Sequence, residues 1–320
     1  MYTFKYILKR LGLLIMTFVI IMFILFVLIK SLPIVIDITF GKDVEIIKAQ
    51  LEARGYYDPI MVQLFNYIKR IFTQGDFGIF VSYSEYRNRS VIEVFGDKLP
   101  PTILINIYSS LLAIPIGIGL GILAALKKNK WQDHTISTGV MIFISVPSFV
   151  YAFLVQYIFC FVFKWFPITM DAGYNYFDPH MFLSMLPATI SMSFGSIAGY
   201  ARFTRAELTE VLTSDFMLLA RTKGLTRAQA TTRHALRNAM VPIFPSIVGE
   251  FISVMSGSLI IEQIFSVPGV GKLYLACMQT KDYDGFMFLS GFYILIGLLA
   301  SIIIDISYGI IDPRIRMGAK

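Results

Sequence analysis

The chain has 320 residues, of which 56% are hydrophobic and only 15% charged, and its mean hydropathy is +0.68. That balance excludes an ordinary water-soluble domain. A formal charge of +7 would suggest nucleic acid in a soluble protein, but here the basic residues cluster between apolar runs, so they report membrane topology and no nucleic-acid partner is expected.

A helix needs about 20 apolar residues to cross the hydrocarbon core. Six runs meet this, at 11–29, 99–126, 135–163, 181–201, 242–261 and 285–311, which predicts an all-α membrane protein with six transmembrane helices. The first run carries charge only at its ends and has no small-residue cleavage site before Ser31-Leu-Pro33, so it reads as a retained anchor. Residues 1–33 then hold the N-terminus and first span, and 34–98 form a polar external segment with turn signals at Gly55, Asp58-Pro59, Gly75-Asp76 and Gly78. Between those turns Ile60, Leu64, Tyr67, Ile68 and Ile71 recur at helical spacing, which predicts one amphipathic helix resting on the outer membrane face or on a partner.

The core, 99–311, holds spans two to six, and 312–320 form a tail. Gly117 and Gly121, and again Gly195 and Gly199, sit four apart and allow close backbone approach, whereas Pro115 and Pro147 interrupt spans two and three. Cys160 and Cys277 read as two unpaired thiols that pack. Orientation follows from Lys and Arg, which resist translocation. Lys5, Lys9 and Arg10, then Lys127, Lys128 and Lys130, then the basic residues of 202–237, then Arg314, Arg316 and Lys320 all fall on one side. Both termini are therefore expected in the cytoplasm, with 34–98, 164–180 and 265–284 outside.

The most informative stretch is the cytoplasmic region 202–241, which reads as helix, glycine stop, helix. Ser214 or Thr213 can cap a short helix that has Asp215 in its first turn and Arg221 and Lys223 at its other end, both favourable to the helix dipole. Gly224 suits the positive-φ residue that ends such a helix. Thr226 and Gln229 fit a capping box that starts a second helix running through Arg237 toward Pro242. Phe216, Leu219, Ala220 and Lys223 share one face by their spacing, giving a knob suited to a partner's groove.

At these residues the sequence resembles the inner-membrane permeases of ATP-binding-cassette importers, whose cytoplasmic loop carries the pattern seen here as Ala220-Arg-Thr-Lys-Gly224. The wider run from Asp215-Phe216 through Arg233-His-Ala-Leu-Arg-Asn-Ala239 to Pro242 is similar to the B subunit of the oligopeptide and dipeptide branch. Leu218 and Leu219 stand where the general family often has Glu-Ala, and Arg237 where others have proline; both departures are shared with the peptide branch. The likeness extends over the chain: Lys9-Arg10, Leu32-Pro33, Gly75-Asp-Phe-Gly78, Leu99-Pro-Pro-Thr102, Val146-Pro-Ser-Phe149, Glu262-Gln-Ile-Phe-Ser-Val-Pro-Gly-Val-Gly271 and Asp312-Pro-Arg-Ile-Arg316.

The resemblance implies a type I importer permease core, MetI-like, in the bacterial cell membrane, with a cytoplasmic coupling helix. It also implies four kinds of partner: a second related permease, two cytoplasmic ATPases that hold ATP and magnesium, an external peptide-binding protein, and membrane lipid. Asp215, Phe216, Leu219, Ala220, Arg221, Lys223, Gly224, His234 and Arg237 would then couple to the ATPases.

Other chemistries find less support. Ser266-Val-Pro-Gly-Val-Gly-Lys272 lacks the first glycine of a phosphate loop and has Leu273 where Ser or Thr is required, so ATP is expected on separate subunits. His134, His180 and His234 have no metal-ligand spacing and no catalytic constellation is visible, so neither an enzyme nor a bound cofactor is expected. Glu250 and Asp305 are acids inside spans, and a proton-coupled secondary transporter would use them as relays. Asp305 instead reads as paired near the cytoplasmic end, while Glu250 stays open between a place on the substrate pathway and a structural one. A nickel or glutathione importer with the same loop, and a purely structural assembly subunit, are the remaining alternatives.

Overall fold

The computed structural model describes residues 2–33, 43–171, 175–176 and 178–311. Among them the regular structure is helical apart from one antiparallel bridge between Ile79 and Ser90. The helices are α1 Tyr2–Lys30, α2 Asp43–Ala53, α3 Ile60–Gln74, α4 Val91–Leu126, α5 Trp131–Ser145, α6 Ser148–Val155, α7 Pro179–Leu212, α8 Asp215–Thr222, α9 Arg227–Ala230, α10 Leu236–Ser253, α11 Leu259–Ile264, α12 Val270–Thr280 and α13 Tyr283–Ile311. The predicted tail at 312–320, with Asp312-Pro-Arg-Ile-Arg316 and Lys320, lies outside the described residues.

Five helices are long and apolar enough to cross a membrane, and α5 with α6 supplies a sixth span if its two arms are counted together. Those arms meet at 103°, so the run predicted at 135–163 is not one straight rod. The break falls at Val146, which is extended, and Pro147, which precedes the first residue of α6. A proline pushes the residue before it out of the helical region, and its ring excludes the preceding turn. Pro115 does not interrupt its span, because α4 runs through it without a break.

The chain divides into two compact units, residues 1–100 with 268–299 and residues 101–267 with 300–320. In the first, α1, α2 and α3 meet around Phe26, Ile29, Leu51, Tyr67 and Met287. A second cluster, with Phe80, Val91, Val94, Leu273 and Cys277 at its heart, joins the 78–90 loop to α12. The predicted helix at 60–71 is α3, and Gly75 ends it at φ +65, its N–H donating to the Ile71 carbonyl while the Asp76 N–H donates to that of Arg70. Asp282 fastens the loop: its Oδ2 accepts from the backbone N–H groups of Val81, Ser82 and Tyr83 at 2.8, 2.8 and 3.1 Å. Lys30, at the end of α1, is half-buried with its Nζ 3.7 Å from Asp284 and 3.6 Å from the centre of the Tyr56 ring.

In the second unit α4 lies against α7. A Cβ on Gly117 would come within 2.6 Å of the Tyr200 Cβ, and one on Gly121 within 2.7 Å of the Ala201 carbonyl, so this pair does permit close packing inside the subunit. Gly195 and Gly199 do not act alike, since a Cβ at Gly199 would meet nothing within 4 Å. From Arg227 to Ser253 the chain is continuously helical, with a π-helical stretch at Thr231–Ala235, and it passes through Pro242 and Pro245. The helix expected to stop near Pro242 and the span expected at 242–261 are therefore one rod. Its far end comes earlier than expected, at Gly257 with φ +63, and α11 starts afresh beyond it. There the side chain of Glu262, fully buried, accepts a hydrogen bond from Thr102 Oγ1 at 3.0 Å, joining two motifs noted separately in the sequence.

Candidate docking hairpin

The 213–242 region builds its surface from local capping. After α7 ends, Ser214 takes the extended conformation of an N-cap, but its Oγ donates to the Val211 carbonyl at 2.6 Å and accepts no hydrogen bond from α8. The expected side-chain cap is therefore absent; the hydroxyl serves the end of α7 instead, leaving Asp215 in the first turn of α8 as its favourable charge. At the other end the expectation holds in detail. Gly224 has φ +90, its N–H donates to the Arg221 carbonyl at 3.0 Å, and the Leu225 N–H donates to the Ala220 carbonyl at 3.4 Å. These two bonds form the Schellman closure, which satisfies carbonyls that a helix end would otherwise leave open.

The next helix opens with the predicted capping box. Gln229 N–H donates to Thr226 Oγ1 at 3.3 Å, and the Thr226 N–H donates to Gln229 Oε1 at 3.0 Å. Two capped helices thus flank a single left-handed residue, and this fixes the bend.

Packing then decides which face is free. Met217 and Ala220 turn inward and are buried with Ala125, Leu208, Ala230, Ala235 and Ala239. Phe216, Leu218 and Leu219 are exposed, as are Asp215, Arg221, Lys223 and Gly224. Phe216, Leu219 and Lys223 therefore do share an outward face, but Ala220 was wrongly placed on it. Its methyl sits at the edge of that face and seats α8 on its neighbours, where alanines from the following helix leave room for close approach. Met217 and Leu218 were missed: Met217 is three residues before Ala220 and could have been read as its inward partner, whereas nothing in the spacing marks Leu218.

His234 and Arg237 are exposed on the π-helical stretch and the start of α10. Glu250 is 13 residues beyond Arg237, roughly 20 Å along the rod. It stands apart from the hairpin, half-buried, with Oε1 accepting from Ser196 Oγ at 3.0 Å. Asp305 is also half-buried. Among the described residues no group of three or more His, Cys, Asp or Glu could hold a metal ion, and Cys160 and Cys277 are free and buried.

A further cluster steadies the ends of α5 and α7. Asp133 is buried and accepts from Arg205 through Nε at 2.5 Å and Nη2 at 2.8 Å, with the Asn129 N–H at 2.9 Å on the same carboxylate. Sequence reading missed it because the partners are 72 residues apart.

The family described as the binding-protein-dependent transport system inner membrane component matches residues 117–317. The oligopeptide transport system permease protein OppB of Escherichia coli is 34% identical over 274 residues, covering 84% of this chain and 85% of that protein. The dipeptide transport system permease protein DppB of Lactococcus lactis is 33% identical over 317 residues, covering 98% and 99%. Among solved structures, an amino acid ABC transporter crystallised with histidines matches at TM-score 0.50 and 18% identity, over 68% of this chain and 94% of that one. The MetNI methionine ABC transporter in an inward-facing form matches at TM-score 0.50 and 16% identity, over 68% and 97%. At these identities the two structures speak for the fold alone.

Proposed function

We propose that this chain, which belongs to the binding-protein-dependent transport system inner membrane components and within them to the OppB and DppB permease type, forms half of the translocation pathway of an ATP-driven peptide importer. It is a transport subunit and not an enzyme. ATP and magnesium belong to two cytoplasmic ATPases, cargo arrives on an external peptide-binding protein, and a second related permease completes the pathway across the bacterial cell membrane. Both termini lie in the cytoplasm. Peptide as the cargo is supported by the descriptions of OppB and DppB.

The observation that carries coupling is the hairpin. Phe216, Leu218 and Leu219 are apolar side chains held in the open on a helix that is closed by its own capping bonds and buried on its other side. An ATPase groove that receives this face also gains Lys223 and Arg221 at its rim. Closure of the ATPases on ATP draws two such helices together and favours an outward-open pathway; hydrolysis releases them. Moving a two-state equilibrium from 1:99 to 99:1 takes about 5.5 kcal/mol, which a frayed helix could not transmit.

Gly224→Val tests this. Open space surrounds the position, but φ +90 is strained for any side chain, at a cost of about 1–2 kcal/mol. The expected result is about tenfold weaker retention of the ATPases on purification and a matching loss of ATP-driven uptake, with the chain still inserted. Undiminished retention and uptake would overturn the coupling role.

A further inference from the structure

Helix α3 carries three faces where an amphipathic helix carries two. Ile60, Leu64, Tyr67 and Ile71 point into the first unit's core. About 100° further round, Met61, Phe65, Ile68 and Phe72 form a second apolar stripe, and this one is exposed, with Phe65 at 67% and Phe72 at 86% of full accessibility. The remaining side carries Gln63, Asn66, Arg70 and Thr73, with Lys69 and the exposed Val62 at its border with the stripe. The exposed stripe thus lies between the packed side and the polar one, roughly opposite Arg70.

The depth of α3 says what covers it. The apolar run of α1, 11–29, is uncharged, within a span whose most apolar 18 residues have a mean hydropathy of 3.2, and it makes roughly 28 Å of helix for a hydrocarbon core of about 30 Å. Its Lys30 end therefore reaches the boundary between acyl chains and headgroups. There α3 is seated: Tyr67 packs on Phe26 with ring centres 5.6 Å apart and the rings tilted by 38°, and Ile29 belongs to the same cluster. Phe26 lies four residues, about 6 Å, below Lys30, within the 5–10 Å by which interfacial helices sink their apolar faces. Leu28 and Ile24, on the side of α1 turned away from Phe26 and Ile29, are exposed as well, so this end of α1 presents an apolar surface of its own at the same depth.

We propose that α3 lies in the plane of the membrane boundary at the Lys30 end of α1, with Met61, Phe65, Ile68 and Phe72 embedded among acyl chains and the Asn66 and Arg70 side turned to water. Lys69, between the two, reaches headgroup phosphates. A lipid layer fits this face better than a protein groove does, because Phe65 and Phe72 protrude singly from a convex helix that sits at the depth where acyl chains are already present.

The test uses the complete importer reconstituted in phosphatidylcholine vesicles containing phosphatidylglycerol, with a nitroxide attached at Phe65→Cys, Phe72→Cys or Asn66→Cys. Cys160 and Cys277 are buried and label poorly. Collisions with oxygen, which concentrates in acyl chains, and with a water-soluble nickel chelate are measured by power saturation. The oxygen-to-nickel ratio at 65 and 72 should be several-fold higher than at 66. Equal nickel access at 65 and 66 would mean water covers the stripe, and an immobilised label closed to both reagents would mean protein does; either overturns the proposal. Phe72 is almost wholly exposed, so its replacement reads out even if Phe65→Cys disturbs the fold. The outcome is independent of what cargo the importer carries.

Discussion

Asp282 shows how much can depend on a single carboxylate. Burial raises its pKa, the three backbone N–H groups of the 81–83 loop pull it back, the Asp284 charge raises it again, and the balance stands at about 6. An unfolded aspartate titrates near 3.9. Between these values the folded protein keeps a proton at Asp282 that the unfolded chain has released, so the stability this residue contributes is fullest below about pH 4 and declines as pH rises through 6. The decline is on the order of 2–3 kcal/mol. Asp282→Asn keeps an oxygen for the three N–H donors and removes the titration. Thermal unfolding of the purified protein at pH 4, 5 and 6 should therefore show the wild type losing ground to the variant with each step, and parallel profiles would contradict the assignment. Nothing in the sequence announces this residue, because its partners are about 200 positions away. Gly224 was legible for the opposite reason: a left-handed stop between two helix signals is written entirely in neighbours.

Elements repeat that contrast between local and distant signals. The spans could be read because twenty apolar residues leave few other interpretations, and the break at Pro147 because proline acts on the residue beside it. The fusion of the hairpin's second helix with the fifth span could not, since a proline signals a stop in water yet is carried within a transmembrane rod whose neighbours take up the freed carbonyls. Short α11 and α12 were not anticipated, the first because its start falls in the run read as the fifth span and the second because 265–284 was assigned only to the outside, and Ala220 was assigned the wrong side because helical spacing fixes which residues share a face, not where that face ends. The Asp133–Arg205 bridge between α5 and α7 offers a test at this scale. Removing the arginine leaves a buried carboxylate without its counter-charge, which costs about 3 kcal/mol, the low end of the usual range because Arg205 is a third exposed. Arg205→Met should melt well below the wild type in detergent, and adding Asp133→Asn should restore much of the loss. A double variant no better than the single one would show that the arginine acts by packing alone.

For the whole molecule the question is where the driving energy enters. A proton-coupled transporter needs an acid within its spans that gains and loses a proton in each cycle, and Glu250 in α10 is placed where such a relay could work. Its surroundings support a structural role instead. Ser196 Oγ donates to its Oε1 at 3.0 Å, and on the same face Tyr200 Oη donates to the Ser246 carbonyl at 3.3 Å, so α7 and α10 are joined by polar contacts of the kind that hold helices together in lipid. Glutamine retains the oxygen that accepts from Ser196 and cannot carry a proton. In vesicles holding the assembled importer, Glu250→Gln should therefore take up labelled peptide near the unaltered rate, with ATP required and a proton uncoupler without effect. Loss of uptake with assembly intact would overturn the structural role and put this carboxylate on the pathway, and uptake by the unaltered importer that an uncoupler abolishes would make it a relay. Uptake of nickel or glutathione in place of peptide would leave the energetics standing and change only the cargo.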